Sequence, residues 1–273
     1  MDVECCVCDL DGTLLNSDRE LSKETISAIR ELKESGVTVV LATGRNDLYV
    51  KDIARQLGVS TPIISCNGSL VRYQNTGEIL YSKHLPSPYD CNIVEYCFEN
   101  DYDFTVSSYD CIYCLKESER VTVFHQYNAN VQTSFRVPIK EMTKPGDLPL
   151  GKLLKLFIWK MSKQQVADFG KNNNQDGMFT IVCSEKNGLD IMAQGVSKGH
   201  ALEFFAKKQV INLAKTVVFG DNYNDISMME LVGCPIAVGN AEHQVKQVAK
   251  YVTLSNDEDG VAYAIRKYIF DKI

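Results

Sequence analysis

The sequence predicts an α/β protein: a doubly wound, Rossmann-like parallel-sheet core carrying an inserted α+β domain. Three observations predict it. Apolar or β-branched runs almost without polar alternation recur at residues 3–8, 37–41 and 216–219, as strands buried on both faces require. Helical periodicities separate the early strands and give a β-α-β-α-β order. Between about Tyr89 and Lys186 the texture changes to short strands and loop signals, and the first pattern then resumes.

Taken in order, residues 3–8 run into Asp9-Leu10-Asp11-Gly12-Thr13. Positions i and i+2 of an extended segment share a face, so Asp9 and Asp11 converge on one site. An open α/β sheet places its ligand crevice outside the carboxyl ends of its strands, where this pair falls. Asp-x-Asp-Gly-Thr arises by chance in only about a few chains per thousand of this length. A helix follows, with Ser22 as N-cap, Leu21 and Ile26 as a hydrophobic staple, Ile26, Ile29 and Leu32 as its apolar stripe, and Gly36 as its stop. The second buried strand, 37–41, leads into Thr43-Gly44-Arg45. One helix is predicted over 47–57, stopped by Gly58, then a third strand at 62–65 and a turn at Cys66-Asn67-Gly68. Val71, Tyr73, Ile79 and Tyr81 flank Gln74-Asn75-Thr76-Gly77 as a hairpin. His84-Leu85-Pro86-Ser87-Pro88 is a stiff linker.

These signals place a core at 1–84 and 187–273 and an inserted domain at 85–186. Within the insert the expected elements are helices near 91–99 and 162–171, strands at 104–106, 111–115, 153–159 and 179–183, and a loop at 144–149. A last strand, 188–192, leads out. The core resumes with a helix at 197–208, the strand ending in Gly220-Asp221, a helix at 224–231, a strand at 235–238, a helix at 242–249, a strand at 251–254 and a closing helix at 260–269.

The bulk properties narrow the function. The 273 residues are 45% hydrophobic and 23% charged, which suits one large globular domain or two unequal ones. A net charge of -6 with no basic run gives no sign of a nucleic-acid partner. No apolar stretch approaches the ~20 residues that span a bilayer, so no membrane association is expected. The first four residues carry two acids and no basic run, and the expectation is a chain without a signal peptide. Cys5, Cys6 and Cys8 read as small buried hydrophobes. The lone Cys111-Ile112-Tyr113-Cys114 lacks the further ligands a zinc site needs. Ten cysteines without a secretory context point to a reducing, cytoplasmic compartment.

Three strand ends carry polar clusters: Asp9/Asp11/Thr13, Thr43/Gly44/Arg45 and Asp221/Asn222/Asn224/Asp225, with Val196-Ser197-Lys198-Gly199 opening a helix between the last two. Singly, each has a structural reading: a strand-to-loop turn at Thr43, a turn at Asn67-Gly68, an exposed helix-start lysine, an N-cap at Asp221, Asn224 or Asp225. Jointly they describe a phosphoryl site. Asp9, Asp11 and Asp221 are hard oxygen ligands suited to magnesium, and without a cation their repulsion would raise at least one pKa. Lys198, the Thr43 hydroxyl and the Gly44 amide complement an anion.

In order, these segments match the motifs of the haloacid dehalogenase superfamily: Asp-x-Asp-Gly-Thr, Thr-Gly-Arg, the lysine, and Gly-Asp-x-x-Asn-Asp. With Ser65-Cys66-Asn67-Gly68 and Gly195-Val196-Ser197-Lys198-Gly199, the chain resembles the Cof-type phosphatase branch, which carries a large cap between the second and third motifs. The resemblance implies a hydrolase of phosphoric monoesters. Asp9 would be the nucleophile, Asp11 the general acid and base, and Lys198 the bridge between nucleophile and phosphoryl group. Magnesium would be held by Asp9, the Asp11 main-chain carbonyl and Asp221. Thr43, Gly44, Asn224 and Asn67 would contact the substrate, with Asp225 and Arg45 supporting them from behind. The cap would close over the site and select the leaving group. The expected partner is a small phosphorylated metabolite, and the expected state a monomer or weak oligomer. A phosphotransferase or phosphomutase on a sugar phosphate is the alternative within the same chemistry. A non-catalytic module phosphorylated on aspartate is the alternative outside it, and Asp11 argues against that, since a long-lived acyl phosphate gains nothing from a positioned base.

Overall fold

A computed structural model describes residues 2–185 and 188–271. They group into two compact units. The first comprises residues 2–44, Ile53–Tyr81 and 197–271, and the second Arg45–Asp52 with the described part of 82–196. The predicted division at 186/187 lies outside the described residues. The strand at Gly188–Ala193 pairs with Phe179–Glu185 and Lys155–Ile158 inside the second unit, so the chain returns to the first unit at Ser197. The segment Arg45–Asp52, expected in the core, also belongs to the second unit.

The first unit is built on a five-stranded sheet. Spatial order runs Tyr251–Val252, Cys234–Ala237, Thr216–Gly220, Cys5–Cys8, Thr38–Leu41, and every neighbouring pair is parallel. Cys5–Cys8 is central and all four residues are fully buried, which is why the run lacks polar alternation. The cysteines there are free thiols filling core volume. The helix Lys23–Glu34 starts where the Ser22 hydroxyl accepts from the Thr25 amide, and it buries Ala28, Ile29 and Leu32. It packs against the helix Gly260–Ala264, which continues as a single π-helical stretch, Ile265–Ile269.

Two expectations for this region change. The strand Ile63–Ser65 meets the main sheet at an isolated bridge, Ala42 to Ile64, and pairs into a three-stranded sheet with Leu70–Arg72 and Ile79–Ser82. The helix expected over 47–57 divides into a 3-10 turn, Asp47–Tyr49, and a helix, Lys51–Leu57. The Asn46 side chain accepts from Leu48 N and caps the short turn, and Val50 at φ -121° breaks the helix.

The second unit is a six-stranded sheet with helices Tyr89–Glu99, Glu119–Asn130 and Lys163–Asn173. Its strand order is Phe179–Glu185, Gly188–Ala193, Lys155–Ile158, Phe104–Ser107, Ile112–Cys114, Ile139–Glu141. Pairing is antiparallel except at the last pair. Phe104, Val106, Leu156, Ile158, Leu189 and Ile191 alternate onto one face and form its core with Phe169. The segment 45–52 contributes Leu48 and Tyr49 to a smaller cluster with Ile112, Phe124 and Val137. No helix among the described residues is long and apolar enough to cross a membrane.

Candidate active site

Three neighbouring parallel strands end together. Cys8 is in register with Phe219 on one side and Leu41 on the other. The residues just beyond, Asp9, Thr43 and Asp221, therefore emerge at one edge of the sheet, where a doubly wound sheet has its crevice. Leu10 already lies in a turn, so the Asp9/Asp11 pair is set by that turn as much as by strand alternation. Asp9 is buried and Asp11 exposed.

Lys198 ties two of the segments together. It is 1% exposed, against the reading of an exposed helix-start lysine. Its Nζ lies 2.5 Å from Asp9 Oδ1 and 2.7 Å from Asp225 Oδ1. Ser197 caps the helix Lys198–Gln209 by accepting from His200 N, which fixes the first helical residue. Asp225 uses its other oxygen to accept from the amides of Asp221 and Asn222 at 2.9 and 3.0 Å. It thus aims the lysine and closes the Asp221 loop at once. Gly220 precedes that loop because a Cβ there would lie 2.7 Å from the Asp225 Cβ.

Thr13 Oγ donates to Asp221 Oδ1 at 2.7 Å, joining the first and last motifs. Gly12, at φ +77°, sits against the same carboxylate, and a Cβ there would come within 2.5 Å of Asp221 Oδ2. On the other flank, Asn67 N donates to Thr43 O at 3.1 Å, and Asn224 Nδ2 donates to Asn67 Oδ1 at 2.9 Å. Asn67 adopts φ +56°, which asparagine tolerates, and a Cβ on Gly44 would approach its Oδ1 at 3.0 Å. The first unit thus brings together Asp9, Lys198, Asp221 and Asp225, with Thr43, Gly44, Asn67 and Asn224 linked alongside. That unit ends its first segment at Gly44. Arg45 belongs to the second, where its guanidinium stacks 4.4 Å from the Tyr49 ring centre.

The electrostatics favour a cation. Oxygens of Asp9, Asp221 and Asp225 lie within 4.8 Å of one another. Burial pushes the Asp9 carboxyl up, the Lys198 ammonium opposes that, and Asp225 and Asp221 add to it. Burial and Asp225 raise Asp221 to about 7. Burial alone would lower Lys198, but Asp225 and Asp9 outweigh it and hold the ammonium above its usual range. One lysine facing three carboxylates leaves an excess of negative charge, and the donors are all oxygens, so the residues fit a small hard cation. Asp225 has both oxygens engaged by N–H donors. Lys198 engages one oxygen of Asp9 and Thr13 one oxygen of Asp221, and Asp11 is outside this trio of side chains.

This arrangement predicts that Asp221→Asn is stabilising in EDTA. The native state holds the Asp221 proton up to about pH 7, whereas an unfolded aspartate releases it near pH 4. Native stability therefore falls as pH rises through that window, and wild type carries the whole cost above it. Thermal unfolding in EDTA should show a higher Tm for Asp221→Asn at pH 8, by roughly 2–4 °C for each kcal/mol relieved. The gain should shrink toward pH 4, and an equal shift at both pH values would contradict the assignment.

One group escaped the sequence. Asn240, in the loop after the fourth parallel strand, donates from Nδ2 to Gly12 O at 2.8 Å. The available signal was its place at the carboxyl end of a further parallel strand, Cys234–Ala237.

A family model described as haloacid dehalogenase-like hydrolase matches residues 6–265. A Streptococcus pyogenes protein named provisionally as a phosphatase is 30% identical, over 99% of this chain and 100% of its own. A 5-amino-6-(5-phospho-D-ribitylamino)uracil phosphatase of Bacillus subtilis is 28% identical, over 98% and 97%. The crystal structure of a haloacid dehalogenase-like hydrolase from Bacteroides thetaiotaomicron superimposes with a TM-score of 0.84 at 26% identity, over 97% of this chain and 99% of that one.

Proposed function

Because the chain belongs to the haloacid dehalogenase-like hydrolases, we propose that it is a magnesium-dependent phosphatase that hydrolyses small phosphorylated metabolites through an aspartyl phosphate. The observation that carries this reading is the Asp9 carboxylate at a strand end, bonded to a fully buried Lys198 that Asp225 holds in turn, with Asp221 beside them. An aspartate paired with a buried cation and flanked by a second acid two residues on is suited to covalent attack followed by proton transfer.

In the first step an Asp9 carboxylate oxygen bonds to phosphorus. The bond to the leaving oxygen breaks as Asp11 gives that oxygen its proton. Asp11, now a carboxylate, then takes a proton from water, whose oxygen attacks phosphorus and releases Asp9 and inorganic phosphate. The exposure of Asp11 suits it to meet both the leaving group and water. Lys198 keeps Asp9 aimed and offsets its charge. Thr43, the Gly44 amide and Asn224 hold phosphoryl oxygens, and Asn67, bonded to Asn224, holds that side of the cradle. A bound magnesium ion supplies the charge neutralisation that lets an anionic carboxylate approach an anionic phosphate, and Asp9, Asp221 and the Asp11 main-chain carbonyl are the groups that would hold it. The inserted segment, 85–186 in the sequence reading, is proposed to act as the cap that selects the leaving group.

The relatives support a small-metabolite substrate, one of them being named for a ribitylaminouracil phosphate. The test is a phosphate-release assay over a panel of phosphorylated metabolites, with magnesium and with EDTA. Release of inorganic phosphate from at least one class, abolished by EDTA and restored by magnesium, is expected. No release across the panel, or conversion of a sugar phosphate to its isomer without free phosphate, would overturn the reading.

A further inference from the structure

The loop after the strand Cys234–Ala237 bonds to both acidic loops of the site. Glu242 N donates to Asp221 O at 2.9 Å, and Asn240 Nδ2 donates to Gly12 O at 2.8 Å. The Thr13 hydroxyl completes the circuit at Asp221 Oδ1. Gly12-Thr13, Asp221 and residues 240–242 therefore form a closed ring of hydrogen bonds. The Asn240 amide is also fixed in orientation. Its Oδ1 accepts from Asn256 N at 2.9 Å, and Asn256 Nδ2 donates to Leu15 O at 3.0 Å. An amide is the side chain that can accept on one side and donate on the other.

We propose that Asn240 is a positioning residue. By holding the Gly12 peptide, it sets the spacing between the Asp9–Asp11 turn and the Asp221 carboxylate, and so the affinity of the site for its cation. The Gly12 peptide has little freedom of its own to compensate, since it packs against Asp221 Oδ2 in a left-handed conformation. The identity of the cation rests on the phosphatase reading above.

The test is Mg2+ binding by titration calorimetry on the full chain, with Asn240→Asp and Asn240→Ala beside wild type. Asn240→Asp keeps the shape and removes the donor to Gly12 O. Supporting groups of this kind typically change metal affinity 10–100-fold, so the Mg2+ dissociation constant should rise about tenfold or more. The Tm in EDTA should stay close to wild type, because Asn240 is exposed. Asp257→Ala is the control. It breaks the clasp of Asp257 onto Ser17, which fastens the neighbouring turn Asn256–Glu258 to the segment after Leu15 without touching Gly12 or Asn240, and it should leave Mg2+ affinity unchanged. Wild-type affinity in both Asn240 variants overturns the proposal, and so does equal weakening in Asp257→Ala, which would mean general loosening of the loops. Failure of wild type itself to bind Mg2+ overturns the phosphatase reading and this proposal with it.

Discussion

Asp9→Asn should leave turnover at least about a thousandfold below wild type, the scale seen when a covalent nucleophile is removed. The amide is nearly isosteric, so Lys198 keeps an oxygen acceptor in place of Asp9 Oδ1 and the site keeps its shape. Stability should not fall, because the substitution removes one of three crowded carboxylates whose charge burial already disfavours. The combination separates chemistry from folding: an unchanged or higher Tm with no phosphate release. Near-wild-type release from Asp9→Asn would remove Asp9 from the mechanism. Asp11 is placed differently, exposed where Asp9 is buried, and its substitution by Asn should slow both steps while still permitting phosphoenzyme from a good leaving group.

Lys198→Met should cost both activity and stability. Methionine fills much of the same volume, but Asp9 and Asp225 then face each other without the ammonium that lies 2.5 and 2.7 Å from them. Removing one member of a buried ionic cluster costs about 3–5 kcal/mol. The loss should depend on pH, with a definite sign. Without Lys198, burial and Asp225 raise Asp9 further, so the native state holds that proton to higher pH than the unfolded chain does. A raised carboxylate pKa is harmless at low pH and costs stability as pH climbs. Chemical denaturation at pH 5 and pH 8 should therefore show a larger deficit at pH 8. A deficit independent of pH would mean that Lys198 acts by packing and not by charge. Asp225→Asn is the companion: it keeps an acceptor for the loop amides of Asp221 and Asn222 yet weakens the hold on Lys198.

Much of this was legible in the sequence where local chemistry and tertiary structure agree. The fully buried strand Cys5–Cys8 shows itself by its lack of alternation, and Ser22 shows the start of the helix Lys23–Glu34 by its capping chemistry. Asp9, Lys198 and Asp221 could be grouped because each follows a strand or opens a helix at one edge of a parallel sheet. Other features carried weaker signals. The helix Glu119–Asn130 was missed because it buries only Phe124 and has no strong apolar stripe. The three-residue strand Ile139–Glu141 exposes Lys140 and Glu141 and resembles a loop. The break at Val50 and the grouping of 45–52 with the second unit depend on Leu48 and Tyr49 packing on residues some seventy positions away, which periodicity cannot report. Asn240 carried only its place after a parallel strand as a signal, because its partner, Gly12 O, is a backbone atom 228 residues distant.

The central claim is that a carboxylate at position 9 bonds to phosphorus, and it can be tested on the protein directly. Asp11→Asn is mixed with magnesium and an aryl phosphate, quenched in acid and reduced with borohydride, which converts an aspartyl phosphate to homoserine. The account predicts homoserine at position 9 in the recovered peptide. Homoserine at another aspartate, or unmodified Asp9 in a variant that still cleaves the ester, would contradict it.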